Sequence, residues 1–261
     1  MLEKYSGYAI VTGAAGGIGE AVCRQLAKDG YDVAICDYPS PAMKEAAAAL
    51  CEELKRDYGV KAMTAFADIT SYEDCEAMIN SVKAEFGENC SIYVASAGIA
   101  LNKPFHNANY KELDSVIDID LKGTVYTCHL ILPMMMKQKC GSVVTIASVA
   151  GVYDIGMPIY SAAKGGVVAF TRGLAREYAV YNIRCNIVAP GSILTPLSLA
   201  MGEEEIEAHR KKTPLRITGL PEDVAEAVAY CNSARMLTGE VISPNGGLRN
   251  YSFLYQEEPE D

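Results

Sequence analysis

Short apolar runs alternate along this chain with longer helix-like segments, and that order restricts the fold more than any other feature. The runs 8–12, 31–37, 60–67, 92–95, 142–147, 183–189 and 240–243 read as strands. Helices are predicted over 20–29, 41–58, 71–87, 109–139, 159–181 and 221–233. Pro41 opens the second of these and Gly59 stops it. Glu73 and Asp74 sit in the first turn after Ser71, where acidic side chains suit a helix N-terminus. The longest segment is expected to bend at Gly123 and Pro133. The strands are continuously apolar rather than alternating, so both of their faces are buried. Together these signals predict an α/β fold: one doubly wound parallel sheet of about seven strands with helices on both faces. No repeat or change of composition divides the chain, so residues 1–250 read as one domain and 251–261 as an acidic tail.

Composition narrows the functional classes. The 261 residues are 50% hydrophobic and 21% charged, enough for a sizeable core. A formal net charge of −10 argues against nucleic acid and anionic membrane surfaces as partners. No apolar stretch approaches the ~18 residues that a membrane span needs. The first apolar run leads directly into glycines, which makes it a strand and not a signal peptide. Nine cysteines, with no C-x-x-C pair, read as free thiols in a reducing, cytoplasmic compartment. His106, His129 and His209 are scattered without metal-ligand spacing, so no metal is expected. The sequon Asn250-Tyr251-Ser252 is read as chance.

Between the first strand and first helix lies Thr12-Gly13-Ala14-Ala15-Gly16-Gly17-Ile18-Gly19. Small residues here let the backbone approach a pyrophosphate, and the following helix N-terminus favours its charge. Gly13, Gly17, Ile18 and Gly19 are therefore candidate dinucleotide contacts in a Rossmann-type fold, although glycines also serve plain tight turns. Asp37 ends the second strand, 18 residues beyond Gly19. A carboxylate at about this distance accepts hydrogen bonds from the adenosine ribose and repels a 2′-phosphate. Position 16 is glycine, so no basic side chain stands in the turn to attract that phosphate. Both features favour NAD over NADP. The competing reading is that Asp37 merely begins a turn before Pro39.

The chemistry is expected around Tyr160-Ser161-Ala162-Ala163-Lys164. Residues four apart share a helix face, so Tyr160 and Lys164 point the same way. A phenol ordinarily ionises near pH 10, too high for a base at neutral pH, and a lysine cation beside it favours the phenolate. Such a pair can take a proton from an alcohol or return one to an alkoxide. Ser148, in Thr145-Ile146-Ala147-Ser148-Val149-Ala150-Gly151, follows the fifth strand. Strand carboxyl ends are where ligands bind in doubly wound sheets. Without a G-x-S-x-G context or a nearby histidine, Ser148 does not read as a hydrolase nucleophile.

In these ordered motifs the chain resembles the short-chain dehydrogenase/reductase family over roughly residues 8–247. The resemblance makes Ser148, Tyr160 and Lys164 catalytic, with Tyr160 and Lys164 also beside the cofactor and the lysine on its ribose. It matches Asp37 to the family's acidic NAD selector, and Asp68, followed by Ile69, to an adenine contact. Pro190-Gly191 matches the turn after the sixth strand, and Thr195 a hold on the nicotinamide carboxamide. Two departures stand out. The family's N-N-A-G is Ala95-Ser96-Ala97-Gly98 here, leaving the backbone through Gly98 to line the adenosine side. The family's catalytic Asn is replaced by Asp120, in Ile119-Asp120-Leu121-Lys122-Gly123. An ionised carboxylate accepts hydrogen bonds but cannot donate them, and it can pair with Lys164.

Residues 192–213 read as a lid over the substrate, or else as an ordinary helix pair. Met134-Met135-Met136 reads as helix packing. Pro244-Asn245-Gly246-Gly247 resembles the family's closing turn, and the apolar faces around 125–135 and 167–174 suit a homotetramer or homodimer. The implied function is an NAD-dependent oxidoreductase that moves a hydride between a hydrophobic secondary alcohol or ketone and nicotinamide. General similarity points to 3-oxoacyl thioester reductases, but Asn182-Ile183-Arg184-Cys185-Asn186, the NAD selector and Gly156-Met157-Pro158 resemble bacterial hydroxysteroid dehydrogenases at least as well. An acidic surface is a poor match for an acidic carrier protein, so a hydroxysteroid is the expected substrate. Reduction of 3-oxoacyl thioesters is the alternative, and an NAD-binding redox sensor without turnover is the reading from another class.

Overall fold

The computed structural model describes residues 7–101, 103–153, 156–199 and 202–248. The tail over 251–261 and the sequon at Asn250 lie outside them. Seven parallel strands form one sheet in the order β3-β2-β1-β4-β5-β6-β7. They are β1 (Tyr8–Thr12), β2 (Asp32–Asp37), β3 (Ala62–Phe66), β4 (Cys90–Ala95), β5 (Gly141–Ile146), β6 (Ile183–Val188) and β7 (Val241–Ile242). Strand order reverses between β1 and β4, which opens a crevice at the carboxyl edge. Register makes that edge level: Thr12 lies opposite both Cys36 and Ala95, and Ala95 opposite Thr145.

Strand burial follows from the apolar runs. In β1, Ala9 and Val11 join one core cluster while Tyr8 and Ile10 join another across the sheet. The first cluster is closed by α1 (Gly17–Lys28), α2 (Pro41–Tyr58) and α10 (Pro221–Ser233). The second is closed by α3 (Tyr72–Phe86), α5 (Gly123–Gln138) and α7 (Pro158–Tyr178). Fully burying a side chain such as Ile10 contributes roughly 1.5–3 kcal/mol. The capping signals are realised. Ser40 Oγ accepts from Met43 N at 3.3 Å, Ser71 Oγ accepts from Asp74 N at 3.2 Å, and Gly59 closes α2 with φ 68°.

The helix expected over 109–139 is three pieces. They are α4 (Tyr110–Val116) with an Asn109–Glu112 capping box, a π-helical stretch (Ile117–Lys122), and α5. The bend expected at Gly123 is that wider stretch, which ends at Lys122. A π turn inserts an extra residue, and here it turns the fully buried Asp120 inward. Pro133 stays inside α5. The first helix starts at Gly17, three residues before the expected start, so Gly17, Ile18 and Gly19 form its first turn. Short helices α6 (Ala150–Tyr153), α8 (Pro196–Leu199) and α9 (Glu203–Lys212) complete the crossovers; the last two lie in the segment read as a lid.

Candidate active site

The glycine turn folds against the strand ends because it carries almost no side chains. Gly13 has φ 64°, and a Cβ there would come within 2.6 Å of Ala97 Cα. At Gly19 a Cβ would run into the Gly13 carbonyl oxygen. Ala14 N donates to Cys36 O at 3.1 Å and Ser96 N to Thr12 O at 3.2 Å, so three strand ends share one floor. Gly16 gives α1 no side-chain cap. Its first N–H groups therefore suit an anion better than a capped helix would.

A cavity of about 790 Å³ opens above this floor. Gly13, Gly17, Ile18 and Gly19 line one wall, and Asp37, Asp68 and Ile69 the far end. Gly98 and Thr195 border it as well, with Gly17 facing Thr195 Cγ2. Asp37 is fixed by two backbone donors: Ala15 N reaches Oδ2 at 2.7 Å and Tyr38 N reaches Oδ1 at 2.7 Å. Asp68 Oδ1 accepts from both N and Oγ1 of Thr70, at 3.0 and 2.7 Å. The described lining holds three carboxylates, on Asp37, Asp68 and Asp118, and no lysine, arginine or histidine. The cavity, the carboxylates of its lining and the uncapped α1 N-terminus fit a dinucleotide.

Ser148, Tyr160 and Lys164 stand outside that lining, where β5 meets α7. Gly151 presses α6 onto α7 so closely that a Cβ there would sit 2.5 Å from Gly165 N and Lys164 C. This contact brings the Ser148 loop against the helix of Tyr160 and Lys164. Ser148 Oγ accepts from Ala150 N at 3.2 Å. Lys164 Nζ lies 5.7 Å from the Tyr160 ring centre and donates to Ile146 O at 3.2 Å. Met157, at φ 55°, turns the chain into α7, where Pro158 starts the first turn. Pro190 and Gly191 do not line the cavity but lock its edge. Val149 N donates to Pro190 O and Gly191 N to Pro244 O, both at 3.0 Å.

Asp120 and Lys164 form a buried ion pair at 3.1 Å, with the side chains 0% and 5% exposed. Asp120 Oδ1 also accepts from Ile99 N at 2.8 Å. Burial works against the Lys164 charge, but Asp120 and then Tyr160 outweigh it and lift the lysine pKa above its ordinary range. Burial pushes the Asp120 carboxyl up, while Lys164 and the Ile99 N–H pull it back. Burial is the larger effect, so the carboxyl lies above its ordinary range, and both oxygens face donors. Sequence reading missed Ile99, Tyr38, Met43 and Ile119, which line the cavity. Their types carry no signal, and only the fold brings them there.

Comparison with known proteins follows the geometry. The short chain dehydrogenase family model matches residues 7–206. A 3-oxoacyl-[acyl-carrier-protein] reductase FabG of Staphylococcus aureus is 36% identical over 248 residues, covering 94% of this chain and 99% of that protein. An acetoacetyl-CoA reductase of Acinetobacter sp. is 36% identical over 243 residues, covering 92% and 96%. Among solved structures, a variant of actinorhodin polyketide ketoreductase with NADPH superposes with a TM-score of 0.87. It has 30% sequence identity. The glycine turn, the crevice at the strand-order reversal and these likenesses lead to one conclusion: the chain belongs to the short-chain dehydrogenase/reductase family of oxidoreductases, whose Rossmann fold binds a nicotinamide cofactor.

Proposed function

We propose that this protein is an NAD(H)-dependent reductase of 3-oxoacyl thioesters. The observation that supports this reading is the close packing of Gly151, in the short helix that follows Ser148, on α7 at Lys164 and Gly165, with Tyr160 one turn earlier on the same helix. Ser148 Oγ holds the substrate oxygen. Tyr160 gives that oxygen its proton during reduction and takes it back in the reverse direction. Lys164 supplies the cation that supports this transfer and holds the cofactor ribose. Gly13, Gly17, Ile18 and Gly19 seat the pyrophosphate. Asp68, Ile69 and Gly98 border the adenosine, and Thr195 holds the carboxamide. Nicotinamide supplies or accepts the hydride when bound.

Two names among the relatives, a 3-oxoacyl-carrier-protein reductase and an acetoacetyl-CoA reductase, support the thioester class over a hydroxysteroid. The net charge of −10 opposes docking of an acidic carrier protein, so the reading favours a coenzyme A thioester. Preference for NAD rests on Asp37 and on a described cavity lining without a single basic side chain. In this reading 192–213 is the lid, the domain spans 1–250 and the chain works as a homotetramer or homodimer in the cytoplasm. Among the described residues no helix is long and apolar enough to cross a membrane.

The test is initial-rate measurement with NADH and NADPH against acetoacetyl-CoA, an acetoacetyl carrier protein and a panel of steroid ketones. Saturable NADH oxidation with acetoacetyl-CoA as the best substrate is expected. A higher kcat/KM for a steroid ketone returns the assignment to hydroxysteroids. Cofactor binding with no turnover on any ketone makes the protein a redox sensor.

A further inference from the structure

The buried anion beside Lys164 has a role of its own, resting on the reading of Tyr160 as the proton donor. We propose that Asp120 is a positioning residue: it ties Lys164 to the Gly98–Ile99 turn and, by opposing the lysine charge, keeps Tyr160 in its proton-donating form, setting the site for ketone reduction. The geometry suits a carboxylate at this place. Oδ1 faces the Ile99 N–H at 2.8 Å and Oδ2 faces the Lys164 ammonium at 3.1 Å. The Lys164 ammonium is the one described polar contact of Oδ2. Both neighbours are donors, and an amide at this position would turn its NH₂ against one of them. Gly98 closes the third side, since a Cβ there would lie 2.9 Å from Lys164 Nζ and 3.2 Å from Asp120 Oδ2. Both side chains are buried, so the charges act on one another with little screening.

Few other groups compete. Among the described residues, the ionisable groups acting on Lys164 are Asp120, from the π-helical stretch, and Tyr160, from its own helix. Lys164 is the one that acts on Asp120. From β5 the pair meets the Ile146 carbonyl, and from the Gly98 turn the Ile99 N–H, neither of which titrates. The couple of Tyr160 and Lys164 therefore has Asp120 as the anion acting on its lysine. A fixed anion next to that couple holds the proton on to higher pH, whichever member carries it. Reduction of a ketone consumes that proton, so the protonated couple is the form that reduction needs.

The experiment compares the wild-type protein with Asp120→Asn and Asp120→Ser. The serine variant removes the charge without presenting an NH₂ to either donor. Two readouts are taken: kcat/KM for ketone reduction against pH, and the ultraviolet titration of phenolate in the cofactor-bound protein. Tyr160→Phe backgrounds isolate the one tyrosine that matters. Both Asp120 variants are expected to lose reduction at lower pH than wild type, by about one pH unit. In both, the phenolate assigned to Tyr160 is expected to form earlier by a similar shift. Rate profiles and phenolate curves that superimpose on wild type overturn the proposal, as does a shift to higher pH. The phenolate titration needs no substrate. A wrong substrate class leaves that readout untouched, and failure of the two ideas is distinguishable.

Discussion

At the residue scale, the proposed choice of cofactor rests on one carboxylate held by backbone donors. Asp37 is fixed by Ala15 N and Tyr38 N, so its charge cannot swing away from a ribose bound at the end of β2. A 2′-phosphate there meets an anion with no basic residue among the described lining. A repulsion of about 1.4 kcal/mol is already a tenfold preference for NADH. Asp37→Ala is expected to narrow the ratio of kcat/KM for NADH over NADPH by about that factor or more. An unchanged ratio removes Asp37 from cofactor choice. Asp37, Tyr160, Lys164 and Ser148 were legible in the sequence because each sits at a fixed offset from a recognisable element end. Ile99 was not: it contributes only its backbone N–H, and that group carries no trace of residue type.

At the element scale, the alternation of runs gave away the sheet, because a strand buried on both faces has to be continuously apolar. The seven expected strands and their parallel pairing are present, with ends moved by at most two residues. What stayed hidden was the π-helical stretch over Ile117–Lys122. A single inserted residue leaves no mark on helical periodicity, yet it turns Asp120 to Lys164. The one-turn helix α6 was equally unreadable, since so short a helix takes its stability from tertiary packing, whereas α8 and α9 fall where a helix pair was one of the two readings. The first turn of α1 gives a test at this scale. Gly19→Ala forces a Cβ onto the Gly13 carbonyl, so the turn has to shift away from the strand ends. The expected cost is about 1–3 kcal/mol, read as a lower Tm, together with a weaker Kd for NADH. Loss of stability with unchanged NADH affinity separates this turn from the cofactor.

At the scale of the whole molecule, one core shelters the chemistry and the thiols alike. Eight of the nine cysteines are buried and only Cys140 is partly accessible. Burial raises the Cys75 and Cys231 thiols to about 11 and Cys185 to about 12, which removes their thiolates at neutral pH. A thiol reagent is expected to modify one cysteine quickly in the native protein, and all nine only after unfolding. Several fast thiols place the strand cysteines nearer to solvent than this core allows. The Gly151 contact packs the loop of Ser148 on the helix of Tyr160 and Lys164, and the central claim is that these three side chains move the substrate proton. It is tested most directly by single-turnover reduction of acetoacetyl-CoA by NADH, comparing wild type with Tyr160→Phe under conditions where chemistry limits the rate. Removing the hydroxyl alone is expected to slow reduction by about 100- to 10,000-fold with NADH affinity nearly intact. A Tyr160→Phe protein that keeps more than about a tenth of the wild-type rate contradicts the claim.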